Sequence, residues 1–264
     1  MLSVHTNPAA LTAQNSLGTN NSLMTQAMER LSTGLRINSA ADDAAGLQIA
    51  TRLNANVTGM QQASRNVSDA TSMLQTADGA LDELSNIALR QKELATQAAN
   101  GVNSAEDLAA LDAEFQELIA ETDRILTETT YGGNNLFAAL EAGVNFQIGA
   151  GSGEQLNVTL NAITNVGGDL TTGASQAIDD IDAFLDSVGT ERSTLGANIN
   201  RLGHTASNLA NVTENTIEAA GRIMDADFAV ESANMTKNQL LVQAGTTVLS
   251  NANQNTGLVM GLLR

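Results

Sequence analysis

Leu74-Gln75-Thr76-Ala77-Asp78-Gly79-Ala80-Leu81-Asp82-Glu83-Leu84-Ser85-Asn86-Ile87 is the centre of a run from Leu47 to Ala98 that decides the fold. Apolar residues return there at steps of three and four: Leu53, Val57, Met60, Ala63, Val67, Ala70, Leu74, Ala77, Leu81, Leu84, Ile87, Leu94 and Ala98. A 3.5-residue repeat is the seam of a helix that lies along another helix of similar length. No proline interrupts the run, and such a helix spans roughly 75 Å at about 1.5 Å per residue. A single helix cannot bury a seam on itself, so a partner is required. Ile178, Ile181, Leu185, Val188, Leu195, Ile199, Leu202, Ala206, Leu209, Thr213, Ala220 and Ile223 keep the same period and supply it. The pattern predicts a mainly α protein: a long antiparallel helical hairpin with an insertion at its far end.

Composition supports helical packing without a thick core. Aromatic residues make up 2% of the 264 positions and tryptophan is absent, although aromatics usually dominate compact cores. The net charge of −17 argues against nucleic-acid or anionic-membrane partners, which need a basic surface. That acidity lies in the middle of the chain. Residues 1–40 carry Glu29, Arg30 and Arg36, and residues 229–264 carry Glu231, Lys237 and Arg264, so each end has one net positive charge. Charge-poor amphipathic ends suit burial against something, and an acidic middle suits a solvated face. The chain has no cysteine, hence no disulfide or thiolate chemistry. It shows neither a cleavable signal nor an apolar run of membrane-spanning length, which by itself points to the cytoplasm.

Taken in order, residues 9–34 form an amphipathic helix that Gly34 stops. A polar connector follows, in which Asp42 and Asp43 are placed to cap the long helix. Ser104 and Asp107 have capping-box spacing and open a helix to about Thr127, with Leu108, Leu111, Phe115, Leu118, Thr122 and Ile125 as its seam. Tyr131-Gly132-Gly133-Asn134-Asn135 breaks the helical period. Val144, Phe146, Ile148 and Leu156, Val158, Leu160 then alternate on either side of 149–153, which predicts a β-hairpin, with 161–174 as a loop. The return helix runs from about Ala174 to Ile223, 224–229 is a second connector, and a last helix covers 230–262. These boundaries give four parts: 1–35 with 230–264, connectors 36–46 and 224–229, a helical part 47–130 with 175–223, and an insert 131–174.

Catalytic chemistry has little to stand on. His5 and His204 are the only histidines, too few for a histidine metal site, and His204 falls at the boundary of the seam. Asp179, Asp180 and Asp182 sit near a helix start, where acids complement the dipole. No phosphate-binding glycine spacing occurs. The sequence points to no enzyme, no metal and no cofactor.

The stretch Arg30-Leu31-Ser32-Thr33-Gly34-Leu35-Arg36-Ile37-Asn38-Ser39-Ala40-Ala41-Asp42-Asp43-Ala44-Ala45-Gly46-Leu47 closely resembles the N-terminal signature of bacterial flagellins. Asp225-Ala226-Asp227-Phe228-Ala229, Gln243-Ala244, Ala252-Asn253-Gln254 and Leu262-Leu263-Arg264 resemble their C-terminal region in the same order. The resemblance implies a short flagellin with a minimal variable region: a structural subunit that is exported unfolded, assembles at the distal tip of the extracellular filament and serves motility. It implies end helices that pair as a coiled coil and order on incorporation. The polymerisation interface is then Leu11, Leu17, Met24, Met28, Leu31, Leu240, Leu241, Ala244, Val248, Ala252, Val259, Leu262 and Leu263. Arg30, Leu31, Gly34, Ile37, Asn38, Asp42, Asp43, Gly46 and Leu47 form the connector signature. Implied partners are further copies of the chain, the flagellar cap, the junction protein, an export chaperone and the export gate. Arg90, Glu93, Leu94 and Glu114 match the patch through which toll-like receptor 5 recognises susceptible members; the competing assignment for them is filament contact alone. One departure is Asn255-Thr256-Gly257, where Gly257 is expected to stop or fray the last helix. The alternatives are a hook–filament junction protein, which shares the end architecture, and a coiled-coil binding protein that does not polymerise.

Overall fold

The structure, a computed structural model, describes residues 6–262, with side chains described as far as Gln254. The element order is α1 (Pro8–Thr33), α2 (Ala44–Ala98), α3 (Ala105–Glu128), β1 (Thr130–Tyr131), β2 (Asn134–Asn135), α4 (Leu136–Ala142), β3 (Val144–Gln147), β4 (Gln155–Val158), α5 (Leu170–Met224) and α6 (Phe228–Leu262). The chain divides into two compact units. One comprises the residues up to Ala55 together with those from Thr216 onward; the other is Asn56–Asn215.

In the Asn56–Asn215 unit, α2 and α5 run antiparallel. Arg192 on α5 reaches Asp78 at 3.0 Å and Asp82 at 2.7 Å, and Lys92 pairs with Asp182 further along. Their seam buries Leu74, Leu81, Leu84, Ile181, Val188, Leu195 and Leu202 without exposure. The strict three–four step of α5 passes through Ala177, Ile181, Phe184, Val188, Glu191, Leu195, Asn198 and Leu202, all buried. Ile178, Leu185, Ile199 and Ala206 therefore flank the seam half-buried, one position off the expected line. On α2, Ile87 likewise gives way to Ala88 and Gln91. Three polar residues hold seam positions. Glu191 accepts a hydrogen bond from Asn161 Nδ2 at 2.7 Å, and Asn198 donates to Thr194 O at 2.9 Å. Gln91 is fully buried, yet neither its Nε2 nor its Oε1 has a partner.

The capping box opens α3 as expected: Ser104 Oγ accepts from Asp107 N, and Asp107 Oδ2 accepts from Ser104 N. Phe115, Thr122 and Ile125 are its buried face. The expected hairpin forms with Val144 opposite Val158 and Phe146 opposite Leu156. The segment before it holds more structure than a break. Thr130–Tyr131 pairs with Asn134–Asn135, and α4 follows, capped by Asn135 Oδ1 accepting from Ala138 N at 2.7 Å. Seven residues are under two turns, too short to display a helical period; burial of Leu136, Phe137 and Leu140 decides the conformation. Residues 159–169 have no regular structure but are stitched down. Leu160 N donates to Leu140 O, Asn165 Nδ2 to Ile119 O, and Gln116 Nε2 to Gly168 O. α5 begins at Leu170 but is broken at Gly173 (φ −139, ψ 30), so uninterrupted helix starts at Ala174.

In the other unit, α1 starts with Asn7 Oδ1 accepting from Ala10 N, and Pro8 fits its first turn. It lies antiparallel to α6: Asn7 Nδ2 donates to Ala252 O at 2.9 Å at one end, and Arg30 pairs with Glu231 at 2.9 Å at the other. Asp227 Oδ1 caps α6 by accepting from Ala229 N and Val230 N. α6 runs on through Gly257 to Leu262, contrary to the expected stop. A single glycine costs about 1 kcal/mol in a helix interior, too little to end a helix of 35 residues.

Candidate interaction surfaces

The connector signature is legible residue by residue. Gly34 ends α1 at φ 75, a left-handed conformation that side chains resist, and its N–H returns to Arg30 O. Leu35 then pairs with Asp225, Arg36 N donates to Met224 O at 2.6 Å, and Ala226 N donates to Gly34 O at 2.9 Å. Arg36 Nη2 donates to Ile223 O at 2.8 Å, placing a cation on the last carbonyls of α5, where the helix dipole favours it. Ile37 is buried. A Cβ on Gly46 would lie 2.8 Å from Ile37 Cδ1 and 2.5 Å from Asp43 Oδ2, so any side chain there would displace both tips, including the carboxylate that caps α2.

The two expected cap residues divide their work. Asp43 Oδ1 caps α2 by accepting from Gly46 N at 2.8 Å. Asp42 does not reach the helix: its Oδ2 accepts from Ser39 N and Oγ and from Asn38 N, and so closes the connector turn. These bonds, the Ser39 backbone first, hold the Asp42 carboxyl below the usual carboxylate range. Leu47 is half-buried behind them.

The end helices present two kinds of surface. Facing one another they place Ala10, Ala13, Leu17, Asn20, Met24, Ala27 and Leu31 on α1 against Glu231, Met235, Asn238, Val242, Gly245, Leu249 and Ala252 on α6. Every one of these is buried or half-buried, at strict three–four spacing. Gly245 faces Leu17: a Cβ there would sit in ordinary contact, 3.4 Å from Leu17 Cδ1. Of the apolar residues expected to form the interface, Leu17, Met24, Leu31 and Ala252 are therefore on this internal seam. Leu11, Met28, Leu240, Leu241, Ala244 and Val248 lie away from it, with Leu240 60% and Val248 56% exposed. Leu23, Phe228 and Val230 are exposed as well. Large apolar side chains thus line the outer faces as well, while the internal seam mixes Leu17, Met24, Leu31, Met235, Val242 and Leu249 with small and polar residues. The side chains of Val259 and Leu262, as well as Leu263 and His5, lie outside the described residues.

On α2 and α3, Arg90 bridges Glu93 and Glu114. Its Nη1 is 2.9 Å from Glu93 Oε2 and its Nη2 is 2.7 Å from Glu114 Oε1, with all three half-exposed or more. Leu94, expected on the same patch, is instead in the core with 2% exposure. Its position three residues after the buried Gln91 turns it toward the inner side of α2; Leu89 is an exposed apolar residue nearby.

His204 is exposed, Asp182 is engaged by Lys92, and Asp180 accepts from Gln176 Nε2. Among the described residues no group of three or more His, Cys, Asp or Glu side chains could hold a metal ion. No described helix is long and apolar enough to cross a membrane.

Residues 4–142 match the bacterial flagellin N-terminal helical region, and residues 178–263 match the bacterial flagellin C-terminal helical region. The chain is 43% identical to a flagellin of Halalkalibacterium halodurans, with 99% of each chain covered. It is 36% identical to the flagellar filament 33 kDa core protein of Treponema phagedenis, again over 99% of each. A crystal structure of Bacillus cereus flagellin is similar at 35% identity and a TM-score of 0.49, covering 55% of this chain and 88% of that one. Family regions matched at both ends, in the order and at the positions of the two sequence signatures, establish that the chain belongs to the bacterial flagellin family.

Proposed function

We propose that this chain is the structural subunit of a flagellar filament and that the outer faces of α1 and α6 are its polymerisation surface. The observation that carries this is the placement of Leu11, Met28, Leu240, Leu241 and Val248 outside the internal seam. Apolar residues exposed on both members of a helix pair, within charge-poor ends, call for a partner of the same character. Contact between non-identical faces of successive copies, with a rotation that does not close, generates a helical filament. The four-part division fits this role: ends in the filament core, connectors as spokes, the helical part around them and the insert toward solvent. Ordering of the end helices is coupled to assembly, the chain meets an export chaperone inside the cell and leaves unfolded through the export gate, and assembly at the distal tip beneath the cap builds a filament that serves motility. The test is electron microscopy of the purified chain seeded with filament fragments. Leu241→Asp with Val248→Asp should abolish elongation while the thermal transition of the Asn56–Asn215 unit stays unchanged. Normal filaments from this variant would overturn the assignment.

The Arg90, Glu93 and Glu114 cluster is the surface we assign to toll-like receptor 5, without Leu94 as a direct contact. Glu93 and Glu114 hold Arg90 in one orientation, so the receptor would meet a pre-ordered cation. A reporter assay on monomers checks this: Arg90→Ala should lose signalling, and unchanged signalling refutes it.

A further inference from the structure

Asn100-Gly101 is the only asparagine–glycine pair in the chain, and it sits in the exposed turn between α2 and α3. We propose that Asn100 is a site of spontaneous deamidation, a covalent modification that adds one carboxylate at the end of α2.

Three features of the turn favour the reaction. The Asn100 carboxamide makes no hydrogen bond among the described residues, and neither does the Gly101 backbone N–H. Gly101 has no side chain to hinder its own nitrogen, and even a Cβ built there would meet nothing within 4 Å, so the turn is open around it. Other asparagines followed by small residues lack this freedom. Asn103, three residues on, has its Nδ2 bound to Gln97 O at 2.6 Å, and the following Ser104 N is bound to Asp107 Oδ2 at 3.1 Å. Ser39 N, after Asn38, is bound to Asp42 Oδ2 at 2.9 Å. Asn15-Ser16 and Asn21-Ser22 lie inside α1, where backbone amides are committed to the helix ladder.

The step needs only water. The Gly101 nitrogen, losing its proton to hydroxide, attacks Asn100 Cγ; a C–N bond closes a five-membered succinimide and ammonia leaves with the former side-chain nitrogen. Water then opens the ring at either carbonyl. Opening at one carbonyl gives aspartate; opening at the other gives isoaspartate, in which the main chain is longer by one carbon. Either product carries a new negative charge just beyond the C-terminus of α2, where the helix dipole disfavours it. Asn100 also lines a surface groove with Leu89, Lys92, Glu93, Thr96 and Gln97, so the new carboxylate changes the charge of the face next to Arg90 and Glu93.

The test is residue-resolved peptide mapping of the folded full chain held in warm, mildly alkaline buffer, with isoaspartate methyltransferase labelling. Cleavage after Lys92 and Arg124 isolates Asn100 and Asn103 on one peptide, which makes Asn103 an internal control. The expected result is a one-unit mass gain at Asn100, isoaspartate exceeding aspartate, and Asn103 intact. Gly101→Ala, which the open space around Gly101 tolerates, should slow the reaction by roughly an order of magnitude while leaving the melting transition in place. The proposal is overturned if Asn100 stays intact in the folded chain, if Asn103 reacts as fast, or if Gly101→Ala reacts at the parent rate.

Discussion

The two helix pairs of this protein share one repeat and differ in what they do with it. Between α2 and α5, within Asn56–Asn215, the seam buries leucine, isoleucine and valine completely, and the faces turned away carry the acidic residues. Between α1 and α6 the internal seam mixes half-buried leucine, methionine and valine with alanine, glycine, asparagine and one ion pair, and further large apolar residues point away from it. The first pair satisfies its hydrophobic surface within one chain. The second leaves part of that surface outside. Apolar burial stabilises in proportion to area removed from water, so the α1–α6 pair reaches full stability only when its outer faces are covered.

Truncating the α2–α5 seam should have the largest effect. Leu81→Ala removes a side chain with no exposure, and cavity formation should cost about 2–5 kcal/mol in urea unfolding of the Asn56–Asn215 unit. A loss below a few tenths would mean that this seam is not self-sufficient. Next is Gln91→Met. It replaces two unpartnered buried polar atoms with a thioether of similar volume and should raise stability by about 1–3 kcal/mol in the same assay. Destabilisation would show that Gln91 has a partner in solution.

The smallest effect belongs to the connector turn. Ser39 and Asn38 lower the Asp42 carboxyl, so its contribution is present above the ordinary carboxylate range and is lost as pH falls through the lowered value. The protection of the Ser39 amide, its exchange relative to the intrinsic rate at the same pH, should therefore fall on acidification below that range, and Asp42→Asn should remove this change in protection. Protection that is indifferent to both would place the closure of the turn elsewhere.

Much of this was legible in the chain itself. The heptad run of α2, the Ser104–Asp107 capping box and the Val144–Val158 hairpin follow from spacing and turn chemistry alone. The connector signature was visible as a pattern, and its reasons became physical only when Gly46 was seen pressed under Ile37 and Asp43. Harder positions were those where residue type and location disagree. Leu94 stands both in the heptad seam and in the expected surface patch, and burial upholds the seam; α4 is too short to announce itself.

The amino-acid sequence by itself determined that two long helices pair, where they begin and end, and which family signatures flank them, because period and capping are local properties. Which face of α6 meets α1 was decided only by the tertiary structure. Leu240, Leu241 and Val248 outweigh Glu231, Asn238 and Gly245 in hydropathy, yet the second set lies on the internal seam beside Met235, Val242 and Leu249. A glutamate that pairs with Arg30 gains its value from one particular neighbour, and a neighbour more than two hundred residues away is supplied by folding alone.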